Sequence, residues 1–100
     1  MITMYSKSWC SDCIRSQQYL EENNVEYHHI DVEQETQHID YVRKVNNGME
    51  SVPTIVFPDG SLLVEPTNRE LAQKLIDTGF VRARLHRLTL TLPALLVALT

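Results

Sequence analysis

The chain has only two cysteines, Cys10 and Cys13. Both sit in one motif, so no framework of structural disulfides can hold the fold, and no second pair completes a four-ligand zinc site. Acid is missing from one end. All 13 Asp and Glu lie within residues 1–77, after which come Arg82, Arg84 and Arg87 with no carboxylate. The clustered cations that bind phosphate backbones are lacking in this acidic body, which argues against nucleic acid as the main partner. Long apolar runs are also missing. Leu88 to Leu99 is interrupted by Pro93 and falls short of the about 20 residues that a bilayer span needs, so a membrane protein is not expected. Met1-Ile2-Thr3-Met4-Tyr5 has no basic stretch leading into an apolar one, so no secretory signal is expected, and a lone thiol pair then fits a reducing cytoplasm. One hundred residues give one small domain with a single core.

What is present orders itself along the chain. Ile2 to Tyr5 reads as a strand, and Ser6 to Trp9 as a loop that delivers Cys10 to a helix start, with Ser8 as the expected N-cap. Cys13, Ile14, Gln17 and Leu20 follow at helical spacing until Asn23-Asn24, and Val25 to Asp31 reads as a second strand. Strand, helix and strand within about thirty residues predict a parallel βαβ unit. Glu33 to Asn46 is the next predicted helix, with Glu33 and Glu35 at its positive end and Gly48 as a left-handed cap. Ile55 to Phe57, a Pro58-Asp59-Gly60 turn and Ser61 to Val64 predict a β-hairpin. Thr67 with Glu70 forms a capping box for a last helix carrying Leu71, Leu75 and Ile76 on one side.

Two thiols in Trp9-Cys10-Ser11-Asp12-Cys13, on the first turn of a helix, form a reversible dithiol/disulfide couple. Only the thiolate is nucleophilic, and a helix N-terminus lowers a cysteine pKa from about 8.5 into the range of about 3.5–7.5. Cys10 is the predicted nucleophile. His28 and His29 do not complete a metal site, because adjacent strand residues point to opposite faces. His38 and His86 receive no role, and no metal is expected.

The order β-α-β-α-β-β-α, with Cys-x-x-Cys at the first strand-to-helix junction and Val52-Pro53 before the third strand, resembles the thioredoxin fold. It is an α/β fold with a four-stranded mixed sheet flanked by helices. More narrowly the chain is similar to glutaredoxins, and within them to the mycoredoxin group. Tyr5-Ser6 with Trp9-Cys10-Ser11-Asp12-Cys13, the segment from Asn46 to Ser61 containing Val52-Pro53-Thr54, and Pro66 before the last helix carry the likeness. It spans roughly residues 2–76, which sets the expected domain at residues 1–80. Residues 81–100, basic and apolar, fall outside the likeness and are expected to be a poorly ordered or loosely docked extension without catalytic role.

The resemblance implies a thiol–disulfide oxidoreductase. Cys10 would attack a mixed disulfide between a protein and a small thiol, and Cys13 would resolve protein disulfides or stand by. It implies a cis Val52-Pro53 bond, with the Val52 backbone orienting an extended substrate, and a cation at Lys7 that pairs with a carboxylate of the thiol ligand. Trp9 would provide apolar docking area. Asp12 stands where glutaredoxins commonly hold an aromatic residue; its charge should raise the Cys10 pKa and favour basic partners. Where glutathione-binding members carry a glycine-rich grip, this chain has Val64-Glu65-Pro66-Thr67-Asn68. Thr67 and Asn68 remain as donors at a helix start; the expected co-substrate is a small thiol, mycothiol, glutathione or similar, and the altered grip favours mycothiol or bacillithiol, or direct reduction by a flavoprotein, over glutathione. The implied partners are protein disulfides, that small thiol and a separate NADPH-dependent reductase; no tightly bound cofactor is implied, and a monomer is expected. The rival reading is a dithiol redoxin drawing electrons from thioredoxin reductase and serving an acceptor such as ribonucleotide reductase. An iron–sulfur carrier is further off, since Ser11-Asp12-Cys13 does not resemble the Gly-Phe-Ser of those proteins.

Overall fold

In the computed structural model, which describes residues 1–82, four strands and three helices follow the expected order. Strand β1 (Ile2–Ser6) alternates buried and half-buried positions, so Ile2 and Met4 face one side of the sheet and Thr3 and Tyr5 the other. Helix α1 (Ser11–Glu22) carries the chain back to β2 (Tyr27–Asp31), which pairs in parallel with β1 from Ile2↔Tyr27 to Ser6↔Asp31. Helix α2 (Ile39–Val45) then leads to β3 (Thr54–Val56) and β4 (Leu62–Val64), an antiparallel hairpin, and α3 (Asn68–Asp77) closes the unit. The sheet runs β2-β1-β3-β4, with β3 antiparallel to β1, so it is mixed as expected.

Each face of the sheet buries its own cluster. Ile2, Met4, Ile55 and Phe57 meet Leu20 of α1 and Leu71 and Leu75 of α3, all 0–2% exposed. On the opposite face Ile30, Val32 and Val42 pack together, with Tyr5 and Ile39 at their margin. With α1 on one face and α2 on the other, β1 ends buried beside the start of α1, Ser6 being 2% exposed, and the loop between them reaches solvent at Trp9.

Several local readings shift. Ser8 lies in a turn, and Cys10 itself is the N-cap of α1, its Sγ accepting the Cys13 N–H. The second strand begins at Tyr27 rather than Val25, because Val25 closes the end of α1 through its N–H to the Leu20 carbonyl at 2.9 Å. The helix expected from Glu33 starts later: Asp31 Oδ1 accepts the Glu33 N–H at 2.9 Å and the Asp31 carbonyl accepts from Gln34 and Glu35. Those bonds build a turn that competes with helix. A short 3-10 turn at Thr36–His38 follows before α2. The left-handed cap falls on Asn47 (φ 55) as well as on Gly48 (φ 88). The hairpin turn and the Thr67–Glu70 capping box stand as read, with Gly60 at φ 88 and both box bonds present.

Val81, read as the start of the extension, packs against the core beside Phe80, whose ring meets Phe57 edge-on at 6.3 Å. The rest of the extension, residues 83–100, lies outside the described residues.

Candidate active site

Cys10 reaches its place because β1 ends at Ser6 and the turn Lys7–Trp9 closes with the Cys10 N–H on the Lys7 carbonyl at 3.2 Å. Its backbone is extended (φ −84, ψ 111), the conformation of an N-cap, and a sulfur occupies the role usually taken by a Ser or Asp oxygen. Cys10 Sγ accepts the Cys13 N–H at 3.0 Å and lies 3.7 Å from the Val52 carbonyl oxygen. Cys10 and Cys13 are joined as a disulfide with their Cα atoms 5.2 Å apart, within the span such a bond bridges.

Their accessibility separates the two sulfurs. Cys13 is 1% exposed and lies behind the helix start, while Cys10, 6% exposed, lines a cavity of about 500 Å³. Trp9, Asp12, Val52, Met49, Glu50 and Glu65 are among the other lining residues. Trp9 is 68% exposed and is held by its Nε1–H donating to Glu33 Oε2 at 3.1 Å, so its ring forms an open apolar wall. Val52-Pro53 is cis, as the resemblance implied. Pro53 is buried, and its carbonyl accepts the Glu65 N–H at 2.9 Å, which brings Glu65 to the cavity with a left-handed backbone (φ 50).

Two of the acidic lining residues, Asp12 and Glu50, are held in ion pairs. Asp12 Oδ1 accepts from Arg15 at 2.9 Å, and Arg15 also donates to the Pro66 carbonyl at 3.2 Å. Lys7 lies with its ammonium 5.6 Å from the Trp9 ring centre and donates to Glu50 Oε1 at 3.2 Å. Arg43 Nε donates to the other oxygen of Glu50 at 3.1 Å. Hydrogen bonds from Arg43 first and Lys7 second hold the Glu50 carboxyl below the usual carboxylate range. Glu50 was not singled out in the sequence, and its only sign there was nearness to Val52-Pro53.

The structure therefore gathers Trp9, Cys10, Asp12 and Val52 around one cavity, with Cys13 and Pro53 behind and Lys7 tied to its rim through Glu50. Thr67 and Asn68 do not line it. The Thr67 hydroxyl accepts the Glu70 N–H, and the Thr67 N–H donates to Glu70 Oε1, so the capping box engages it; Asn68 Oδ1 is buried with no partner among the described residues. Among the described residues no group of three His, Cys, Asp or Glu is placed to hold a metal ion, and no helix is long and apolar enough to cross a membrane.

A family model described as Glutaredoxin matches residues 2–63. A protein of Mycobacterium tuberculosis named as a glutaredoxin is 37% identical over 75 residues, 75% of this chain and 89% of that one. Mycoredoxin 1 of Corynebacterium glutamicum is 32% identical over 74 residues, 74% of this chain and 91% of that one. Among solved structures, the thioredoxin-like protein BC3987 superposes with a TM-score of 0.64 at 26% identity, over 73% of this chain and 97% of that chain.

Proposed function

Because the chain belongs to the glutaredoxin family of thiol–disulfide oxidoreductases, we propose that it reduces mixed disulfides between proteins and a low-molecular-weight thiol through Cys10. The observation that carries this reading is the separation of the two sulfurs: Cys10 lines the cavity, and Cys13 lies behind it. An incoming disulfide meets Cys10 first.

In the reduced protein the Cys10 thiolate attacks one sulfur of the incoming disulfide, the S–S bond breaks, and the other sulfur departs as a thiolate. Cys10 is left in a mixed disulfide with the small thiol. A second small thiolate attacks that bond, forming the small-molecule disulfide and returning Cys10 as thiolate. The Cys13 N–H, at 3.0 Å from Cys10 Sγ, favours negative charge on the attacking and departing sulfur alike. The Val52 carbonyl and the open lining beside it offer backbone to an extended partner.

Mycothiol or another sugar thiol is the favoured co-substrate, supported by the likeness to a mycoredoxin and by Val64-Glu65-Pro66-Thr67-Asn68 standing in place of a glycine-rich grip. Its disulfide would be returned to the thiol by a separate NADPH-dependent reductase. A dithiol route has one observation in its favour: Cys10 and Cys13 are close enough to close a disulfide between themselves. On that route Cys13 expels the small thiol or protein from Cys10.

Turnover of a mixed-disulfide peptide by Cys10→Ser and Cys13→Ser, with several small thiols and with thioredoxin reductase as donors, tests both. Activity lost in Cys10→Ser and kept in Cys13→Ser is the expected result. Loss in both variants favours the dithiol route, and activity in Cys10→Ser overturns the assignment of the nucleophile.

A further inference from the structure

The cavity that holds the reactive sulfur is lined by three carboxylate residues, Asp12, Glu50 and Glu65, and no Lys or Arg among the described residues lines it. Three cations stand near these acids, and the structure engages each of them. Arg15 is on Asp12, and Lys7 and Arg43 are on the two oxygens of Glu50. Glu65 has no ion-pair partner among the described residues, and Arg43 is shared between Glu50 and Asp40, the latter at 3.9 Å, so these three cations face four carboxylates and one negative charge at the cavity stays uncompensated.

Glu50 has a double effect. It places a carboxylate in the wall, and it occupies the ammonium of Lys7, the cation nearest in sequence to Cys10. An anionic partner approaching Cys10 therefore meets negative charge and finds Lys7 already bound. We propose that Glu50 is a specificity-determining residue that makes the Cys10 cavity select against anionic thiols and their disulfides, in favour of uncharged and cationic ones. The proposal rests on Cys10 being the site of exchange and deepens that reading by naming the charge class of its partners. It is consistent with an uncharged sugar thiol, and with protein disulfides flanked by Lys or Arg.

Reduction of the Cys10–Cys13 disulfide by simple thiols reads this selectivity without any catalytic turnover. A small thiolate attacks Cys10 Sγ, the bond to Cys13 breaks, and Cys13 leaves as thiolate; a second thiolate then attacks the new mixed disulfide, releasing the small disulfide and the Cys10 thiolate. Rates with mercaptoacetate, 2-mercaptoethanol and cysteamine, each corrected for its own thiolate fraction and basicity, give a cation-to-anion rate ratio. In the unaltered chain this ratio should exceed that of an unstructured Cys-x-x-Cys peptide and fall as ionic strength rises from about 0.02 to 0.5 M, where screening shortens to a few ångströms. Glu50→Gln should lower the ratio about threefold, the size of one partly exposed charge interaction. Lys7→Met, which uncovers Glu50, should raise it.

A fold disturbance would expose the disulfide, speed all three thiols and bring the ratio down to that of the unstructured peptide in either variant, whereas the proposal has Lys7→Met raise it. A ratio indifferent to salt and to Glu50→Gln, or one that moves the same way in both variants, overturns the proposal. Failure of mixed-disulfide turnover with the charge ratio intact would instead sink the catalytic reading alone.

Discussion

At the scale of single residues, the Cys10 sulfur is set by its immediate neighbours. Asp12 shares the cavity with Cys10, but its charge is partly met by Arg15 at 2.9 Å. Asp12→Asn should therefore increase the Cys10 acidity constant only about twofold, while Arg15→Gln should decrease it by a similar factor. Thiolate absorbance near 240 nm against pH reads both, and no movement in either variant would show Asp12 to be electrically silent. Farther from the site, burial first and the hydrogen bond to Glu21 second push the Tyr27 hydroxyl up to about 12. Since the folded value lies above the ordinary 10, the stabilisation is complete below pH 10 and is lost as pH rises through 12. Burial first and the neighbouring Tyr41 second also push Tyr5 up, so a tyrosinate titration at 295 nm should show two delayed groups, and Tyr27→Phe should remove one of them. The sequence revealed Cys10, Cys13 and Val52-Pro53 because each lies in a short local pattern. Glu50 escaped notice because its partner Lys7 is 43 residues away, and no local spacing announces such a pair.

At the scale of elements, the three helices end in the same way. Beyond α1, α2 and α3 stand Asn24 (φ 56), Asn47 (φ 55) and Gly79 (φ 84), and the next residue donates back to the carbonyl five before it: Val25 to Leu20, Gly48 to Arg43 and Phe80 to Leu75. This is the Schellman closure, which needs a left-handed residue at its centre. Asn24→Ala should cost about 1 kcal/mol, the penalty of a left-handed backbone for an ordinary side chain, while Asn24→Gly should be neutral or stabilising. Urea midpoints of the two variants against the unaltered chain settle the sign. The capping box of α3 was readable as Thr67-x-x-Glu70, and the hairpin as Pro-Asp-Gly between apolar runs. The start of α2 was not readable, because acids suit a helix N-terminus and a turn alike, and the Asp31 hydrogen bonds decide for the turn.

At the scale of the whole molecule, stability rests on the larger apolar cluster, and its reach past α3 changes where the domain ends. Leu20, fully buried between sheet and helices, should cost about 2–5 kcal/mol when replaced by Ala. Phe80 and Val81 lie against the same cluster, so a chain ending at Asp77 should melt earlier than one ending at Arg82, and the latter should keep full exchange activity. Equal melting of the two shortened chains would remove Phe80 and Val81 from the core. Leu20, Leu71 and Leu75 were legible from helical spacing, which also offered Ile14, 45% exposed in the structure; the contribution of Phe80 and Val81 was not legible, since nothing periodic marks two residues beyond a helix cap. One atom connects these scales. Cys10 Sγ is both the proposed site of exchange and the acceptor that begins α1. A thermodynamic cycle then ties acidity to folding: each tenfold gain in thiol acidity that the cap confers stabilises the reduced, ionised fold by about 1.4 kcal/mol over a fold without it. The amide proton of Cys13 becomes a built-in gauge of redox state, its exchange with solvent slowing when Cys10 carries full negative charge and quickening when that sulfur is bound to a partner.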